Sequence, residues 1–344
     1  GTKFIAEVKD SSKKTRLIPF EFSTVQTYVL EFGNLYMRVY KDQGQVLSGG
    51  SAFEISTPYL EAELFDLKFA QSADVMYICH PNHDARKLER TGHTAWTLTQ
   101  IAFTDGPYLS QNTTATTITP SGTTGSITLT ASASLFASTD VDRLVSFSNG
   151  RAKITGFTSA TVVDATVEDD FDNTNAVSTW KLGAFSDTTG HPSCVSFFEQ
   201  RLVFAGTIAE PQTLYFSKAG DYENMTSGTN ADDAMVYTIA SNQVNRIRYL
   251  KSQRTLIVGT TGGEFTVSAD GTDAAITPTN IVIKKQSSYG TANVDAIPAG
   301  NSILFLQKAK RKIRELSYNF DTDGYVAPDL TILNDIVTKS GITE

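Results

Sequence analysis

The chain has 344 residues, 40% of them apolar and 19% charged, with a net charge of −8 and a pI near 5.1. That length can bury a substantial core, either as two domains or as one large β architecture. The acidic balance and the lack of any long run of like charge argue against a basic nucleic-acid arm or an acidic tail. Two cysteines, Cys79 and Cys194, cannot make a disulfide framework or a Cys-rich metal motif and read as small buried apolar residues.

No apolar run approaches the roughly 20 residues of a membrane-spanning helix; VMYI (Val75 to Ile78) is typical. The opening, GTKFIAEVKDSSKKTRL, shows no secretory signal and reads like the start of an excised piece.

In chain order, one pattern returns five times: a short apolar run, a turn, and a second run rich in aromatic and β-branched residues. The copies are YVLEF-GN-LYMRVY (Tyr28 to Tyr40), VMYICH-PNHDA-RKLER (Val75 to Arg90), LVFAGT-IAEPQ-TLYFS (Leu202 to Ser217), LIVGT-TGG-EFTVS (Leu256 to Ser268) and ILFLQ-KAKRK-IRELSY (Ile303 to Tyr318). Each predicts an antiparallel hairpin. Their starts, at 28, 75, 202, 256 and 303, are 47, 127, 54 and 47 residues apart. A period near 50 is the mark of β-propeller blades, in which a unit that cannot dry its own apolar face must stack on a neighbour.

The long interval points to an insertion at 107–190. It opens with the Thr/Ser-rich segment Asn112 to Ser134, and RLVSF, RAKITGF, ATVVDATV and TWKLGAF then supply strand candidates. The expected fold is therefore all-β: an incomplete propeller-like array of hairpin blades over 1–106 and 191–344, with a small β-barrel or sandwich domain inserted between them. Two helices are predicted. One lies in TPYLEAELFDL (Thr57 to Leu67), with Thr57 as cap and Leu60, Leu64 and Leu67 as its apolar positions. A short closing one lies in APDLTILNDIVTKSG (Ala327 to Gly341), with Leu330, Leu333, Ile336 and Val337 on one face.

Chemistry-bearing motifs are few. His80, His83 and His93 fall near Cys79, but their spacing does not supply the paired ligands of a structural zinc site, and a polar hairpin loop is the expectation. EDDFDN (Glu168 to Asn173) and DTDG (Asp321 to Gly324) lack the pattern of a calcium loop and read as turns. Asp140 and Asp142 would share a strand face, yet nothing places them about a scissile bond. SADGTD (Ser268 to Asp273) lacks the glycine and aromatic positions of a sialidase-type aspartate box, and TTGGEF (Thr260 to Phe265) is a hairpin turn without the helix a phosphate cradle needs. No catalytic residue, cofactor or metal is expected. The densest cationic stretch is Lys308, Lys310, Arg311, Lys312 and Arg314, with Lys284 and Lys285 before it. It is the candidate contact for DNA or a partner, against the plainer reading of a solvated turn.

Several long strings resemble tail nozzle proteins of short-tailed bacteriophages, the tail tubular protein B family. They include Thr15 to Tyr40, Leu67 to Pro81, Ser193 to Thr207, Pro211 to Met225, Val244 to Val267 and Lys312 to Leu333. Ser134 to Phe147 and Thr179 to Val195 match within the insertion, less specifically. These are packing and turn signatures. Family members are usually longer, so a leading segment and a larger trailing region are expected to be missing. The resemblance implies a structural, non-enzymatic subunit of a hexameric tube in the virion tail, assembled in the host cytoplasm. It would contact the portal adaptor and other tail proteins and let double-stranded DNA pass. Between Asp105 and Gly190, nine acids face four bases, a net of −5, which suits a conduit that must not hold phosphate. A receptor- or glycan-binding propeller is the alternative, with Trp96 and Trp180 as stacking residues. An envelope hydrolase would have only scattered Asp/Glu turns and the inserted domain to draw on.

Overall fold

The computed structural model describes residues 3–23, 26–240, 244–271, 274–334 and 336–343. Five antiparallel sheets follow one another, each with its strands side by side in chain order. The first contains Arg16–Ser23, Gln26–Gly33, Tyr36–Lys41 and Gly44–Gln45, with Glu54–Ser56 also paired to the third strand. The second is Lys68–Ser72, Val75–His80, His83–Gly92 and Ala95–Gln100. The third is Cys194–Phe198, Arg201–Ala205, Thr213–Phe216 and Met235–Thr238; the fourth is Ile247–Ser252, Leu256–Thr260, Gly263–Ala269 and Ile281–Ser287. Ile297–Ala299, Ser302–Leu306, Ile313–Asn319 and Gly324–Val326 make the fifth. A four-stranded meander repeated in this way is the blade of a β-propeller.

All five predicted hairpins are the two central strands of a sheet, with registers such as Leu30 opposite Val39, Phe204 opposite Tyr215 and Val258 opposite Phe265. Some central strands are covered on both faces, so every residue of Arg201–Ala205 and Leu256–Thr260 is buried, whereas His83–Gly92 in the second sheet buries only Ala85 and Leu88. Two tyrosines need a glycine across the ladder. A Cβ at Gly33 would lie 2.1 Å from the Tyr36 ring, and one at Gly259 would lie 2.0 Å from that of Tyr249.

Each neighbouring pair of sheets encloses its own core. Phe20, Leu30, Met76 and Leu88 meet between the first and second sheets, and Tyr77, Cys79, Leu202 and Phe204 between the second and third. Phe216, Met235, Leu250 and Val258 fill the space between third and fourth, and Tyr249, Ile257, Phe305 and Leu316 that between fourth and fifth. The first strand of the third sheet runs beside the first strands of the second and fourth, so these three sheets share an axis.

The chain between the second and third sheets forms a separate six-stranded sheet, ordered Ile118–Pro120, Ser126–Ala131, Val162–Asp169, Gly150–Ser159, Leu144–Phe147 and Lys181–Leu182. Ile118 at one edge exchanges hydrogen bonds with Val177, just ahead of the strand at the other edge, so the sheet curls toward closure around Leu129, Phe147, Ile154 and Val163. Leu109 N to Leu182 O (2.9 Å) and Ala184 N to Pro107 O (2.8 Å) tie its two ends together.

Neither predicted helix forms as expected. In Thr57 to Leu67 only a 3₁₀ helix, Glu61–Asp66, appears, because the Thr57 amide and the Tyr59 carbonyl are already bonded to Leu35. The closing segment makes turns in its described residues; Asp335 lies outside them. Leu330 N bonds to Ile313 O of the fifth sheet and, just past the segment, Ile342 N bonds to Lys310 O, while within it only isolated turns close among the described residues, such as Asn334 N on Thr331 O and Gly341 N on Thr338 O. Leu333, Ile336 and Val337 stay open to solvent.

The sealed interfaces set the stability. Phe204→Ala, which empties a fully buried position between the second and third sheets, is expected to cost about 3–5 kcal/mol in urea unfolding. Leu17→Ala on the open face of the first sheet should stay within about 0.5 kcal/mol.

Candidate functional site

The cationic stretch sits on the turn joining the central strands of the fifth sheet, and the structure divides it. Lys308, Lys310, Arg311 and Lys312 are exposed, with Lys312 Nζ 2.8 Å from Asp329. Arg314 is buried. Its Nε donates to Gln307 Oε1 (2.9 Å), its Nη1 to the Ala327 carbonyl (2.6 Å), and its guanidinium lies 3.5 Å from the Tyr289 ring centre. A strand position two residues beyond the turn faces the sheet interior, so Arg314 fixes the closing segment and cannot reach a phosphate. Lys284 and Lys285 lie on the fourth strand of the fourth sheet.

The carboxylate candidates separate likewise. Asp140 ends a short 3₁₀ turn and is buried, accepting from Arg143 Nη1 (2.8 Å), the Ala137 amide and the Thr188 hydroxyl. Asp142 is left-handed at φ 71 and pairs outward with Lys153 at 2.9 Å. The expected shared strand face does not exist, and the pair cannot flank one bond. In the acidic turns, Glu168 and Asp169 lie near Arg151 (3.4 and 3.6 Å), and Asp323 accepts from the Tyr318 hydroxyl (2.7 Å). The aspartate-box candidate Ser268 to Asp273 ends on Thr272 and Asp273, outside the described residues.

The histidines regroup. His93 leaves the set, its Nδ1 lying 2.7 Å from the Tyr28 hydroxyl, and Cys79 is buried in core. His80 ends the second strand of the second sheet and His83 begins the third, so the tight turn between them brings both rings together, centroids 5.1 Å apart. Glu63, on the 3₁₀ helix leading into that sheet, completes the group. Its Oε2 accepts from His83 Nε2 (2.8 Å) and from the Leu60 amide (2.9 Å). Against the cost of burial, that amide and His83 hold the Glu63 carboxyl below its usual range. One ligand atom from each of the three residues lies within 4.8 Å of the other two. His80 is 2% exposed; its Nδ1 accepts from the Asn82 amide (3.2 Å), and its Nε2 has no partner among the described residues. Tyr59, buried, walls the group with its ring T-shaped against His83. Two imidazoles and a carboxylate are a donor set that can hold a divalent metal. The sequence could not offer Glu63, since nothing in its spacing ties a connector residue to a hairpin turn 17 residues later.

Burial disfavours the imidazolium and pushes His80 down to about 4, with Glu63 opposing. The unfolded chain, near the ordinary 6.5, therefore takes up the proton first as pH falls. Stability is full above that value and drains between it and pH 4, by a ceiling of about 3 kcal/mol at about 1.4 kcal/mol per tenfold. Denaturation midpoints taken in chelator should show this decline, and His80→Gln should flatten it.

No protein-family model matches the chain, and no curated protein matches it. Among solved structures it is similar to a protein from Lactobacillus plantarum (11% identity, TM-score 0.40, covering 89% of this chain and 81% of that one). It is also similar to the β-propeller domain of Myceliophteria thermophila Cps50 (Swd1), at 9% identity and TM-score 0.39 over 95% and 88% of the two chains. A third is the endosialidase of phage phi92, at 11% identity and TM-score 0.28 over 91% and 51%.

The split within the cationic turn is measurable. Arg314→Ala should lower unfolding stability by about 2–3 kcal/mol, since it strands the Ala327 carbonyl and Gln307. Lys310→Ala should stay within about 0.5 kcal/mol.

Proposed function

We propose that this chain is a structural subunit of a short-tailed phage tail nozzle, part of the tube that retains and then passes viral DNA. The observation that carries the reading is the state of the two end sheets. The four interfaces between sheets are buried, yet the first and fifth sheets carry apolar side chains in solvent: Leu17 and Val29 on the first, Ile297 and Tyr318 on the fifth. A ring subunit meets its neighbours through two different surfaces, and exposed apolar residues on two unlike sheets suit that geometry. The long strings that resemble the nozzle family, in sheets and insertion alike, support the same reading. The portal adaptor and other tail proteins are the partners it implies.

Charge fits the role. In the inserted domain Arg143 and Lys153 each pair with a carboxylate and Arg151 lies among three, which leaves little free positive charge there to grip phosphate. The glycan-binding alternative loses its proposed platforms. Trp96 is packed between the first and second sheets with its Nε1 on the His93 carbonyl, and Trp180 is in the inserted core with its Nε1 on that of Thr116.

Electron microscopy of the virion from which the gene derives, with this chain labelled, is expected to place it in a six-fold ring below the head. A tail without such a ring, or label elsewhere, defeats the proposal. In filter binding to duplex DNA at about 0.15 M salt, the isolated chain should give no saturable retention.

A further inference from the structure

We propose that Glu63, His80 and His83 bind a single first-row divalent cation of the zinc class at the joint between the first and second sheets. The inference is independent of the tail reading. Three donors from two separate stretches of chain converge there, with ligand atoms no more than 4.8 Å apart, so modest side-chain rotation brings them around one ion. Imidazole nitrogen with one carboxylate suits zinc and its neighbours, whereas magnesium and calcium take oxygen ligands.

The second observation is the orphaned Nε2 of His80, on a ring buried at 2% exposure. Most buried side-chain nitrogens have a partner; that of His80, beside a carboxylate and a second imidazole, is free to take a ligand. A neutral imidazole offers a metal the lone pair of whichever ring nitrogen does not carry its proton. With the Asn82 amide on Nδ1, the ring proton of the metal-free protein sits on Nε2. Loading moves that proton to Nδ1 and gives up the 3.2 Å contact; Asn82 is exposed on the turn, so its amide passes to water. His83 and Glu63, which hold each other at 2.8 Å, part to admit the ion between them. Water fills the remaining positions. Because Glu63 sits on the connector from the first sheet and both histidines on the central turn of the second, the bound ion clamps that connector to the blade.

The test is calorimetric titration of the full chain, stripped with chelator, using zinc chloride and, in parallel, magnesium chloride, with thermal melts of the same samples. One zinc per chain and a raised Tm are expected, with neither effect from magnesium. His83→Ala and Glu63→Gln, at sites partly open to solvent and checked for folding by circular dichroism, should each weaken zinc binding at least ~100-fold. That exceeds the ~10–100-fold typical of outer-shell changes. His93→Ala, outside the group, should bind as the native chain does. Absence of saturable zinc binding, or undiminished affinity in both variants, overturns the site.

Discussion

A blade of four antiparallel strands has two apolar faces and no means of covering either, and this constraint organises the molecule. Ordering each residue costs on the order of 1–2 kcal/mol of backbone entropy, which only removal of apolar surface from water can offset. The surface is removed between sheets, one core at each of four junctions, so no blade is stable without a neighbour. Polar groups at the seams are tied off across them. Lys87 of the second sheet pairs with Glu223 in the loop before the last strand of the third (2.8 Å), and Lys251 of the fourth with Asp295 at the approach to the fifth (2.6 Å).

The inserted domain respects the same constraint. Its two ends leave and rejoin the chain side by side, and residues flanking it complete the core that it interrupts in sequence. Phe103, before the insertion, and Phe185, at its end, meet Phe204 of the third sheet edge to face, with ring centroids 5.7 and 6.0 Å apart. The His191 amide then bonds to the Pro81 carbonyl in the second sheet. An excursion of this length costs the array little when loop closure grows only with the logarithm of length and the excursion dries its own core.

This explains what was legible in the sequence. The central hairpins were, because at least one strand of each is a run of apolar residues joined by a turn to its partner. Outer strands such as Ile297–Ala299 were not, since three residues open to solvent carry no apolar pattern. The two expected helices rested on 3.6-residue spacing, and each lost its backbone donors or acceptors to an adjacent sheet, a competition that local spacing cannot register. At the candidate site, His80 and His83 were visible as a pair. His93 was grouped with them by proximity along the chain, although ten residues of strand already carry the chain about 30 Å away. Arg314 was visible as a charge but not as a buried one, because the alternation that turns it inward begins only where the turn ends.

The distribution of polar satisfaction separates two kinds of buried polar group here. Arg201, 1% exposed, donates to the carbonyls of Ser217, Ala231, Asp232 and Asp233, so its guanidinium braces the loop before the last strand of the third sheet. Arg143 does the same for the inserted domain through Asp140 and Gly183. Those groups are complete as they stand, and a buried charge so satisfied specifies one packing. His80 is equally buried but half satisfied, beside a carboxylate and a second imidazole, on a turn that several other blades build without histidine. A packing role would have been served by any apolar residue of similar size at lower cost, so the imidazole at that position is better accounted for by what it can bind than by what it covers.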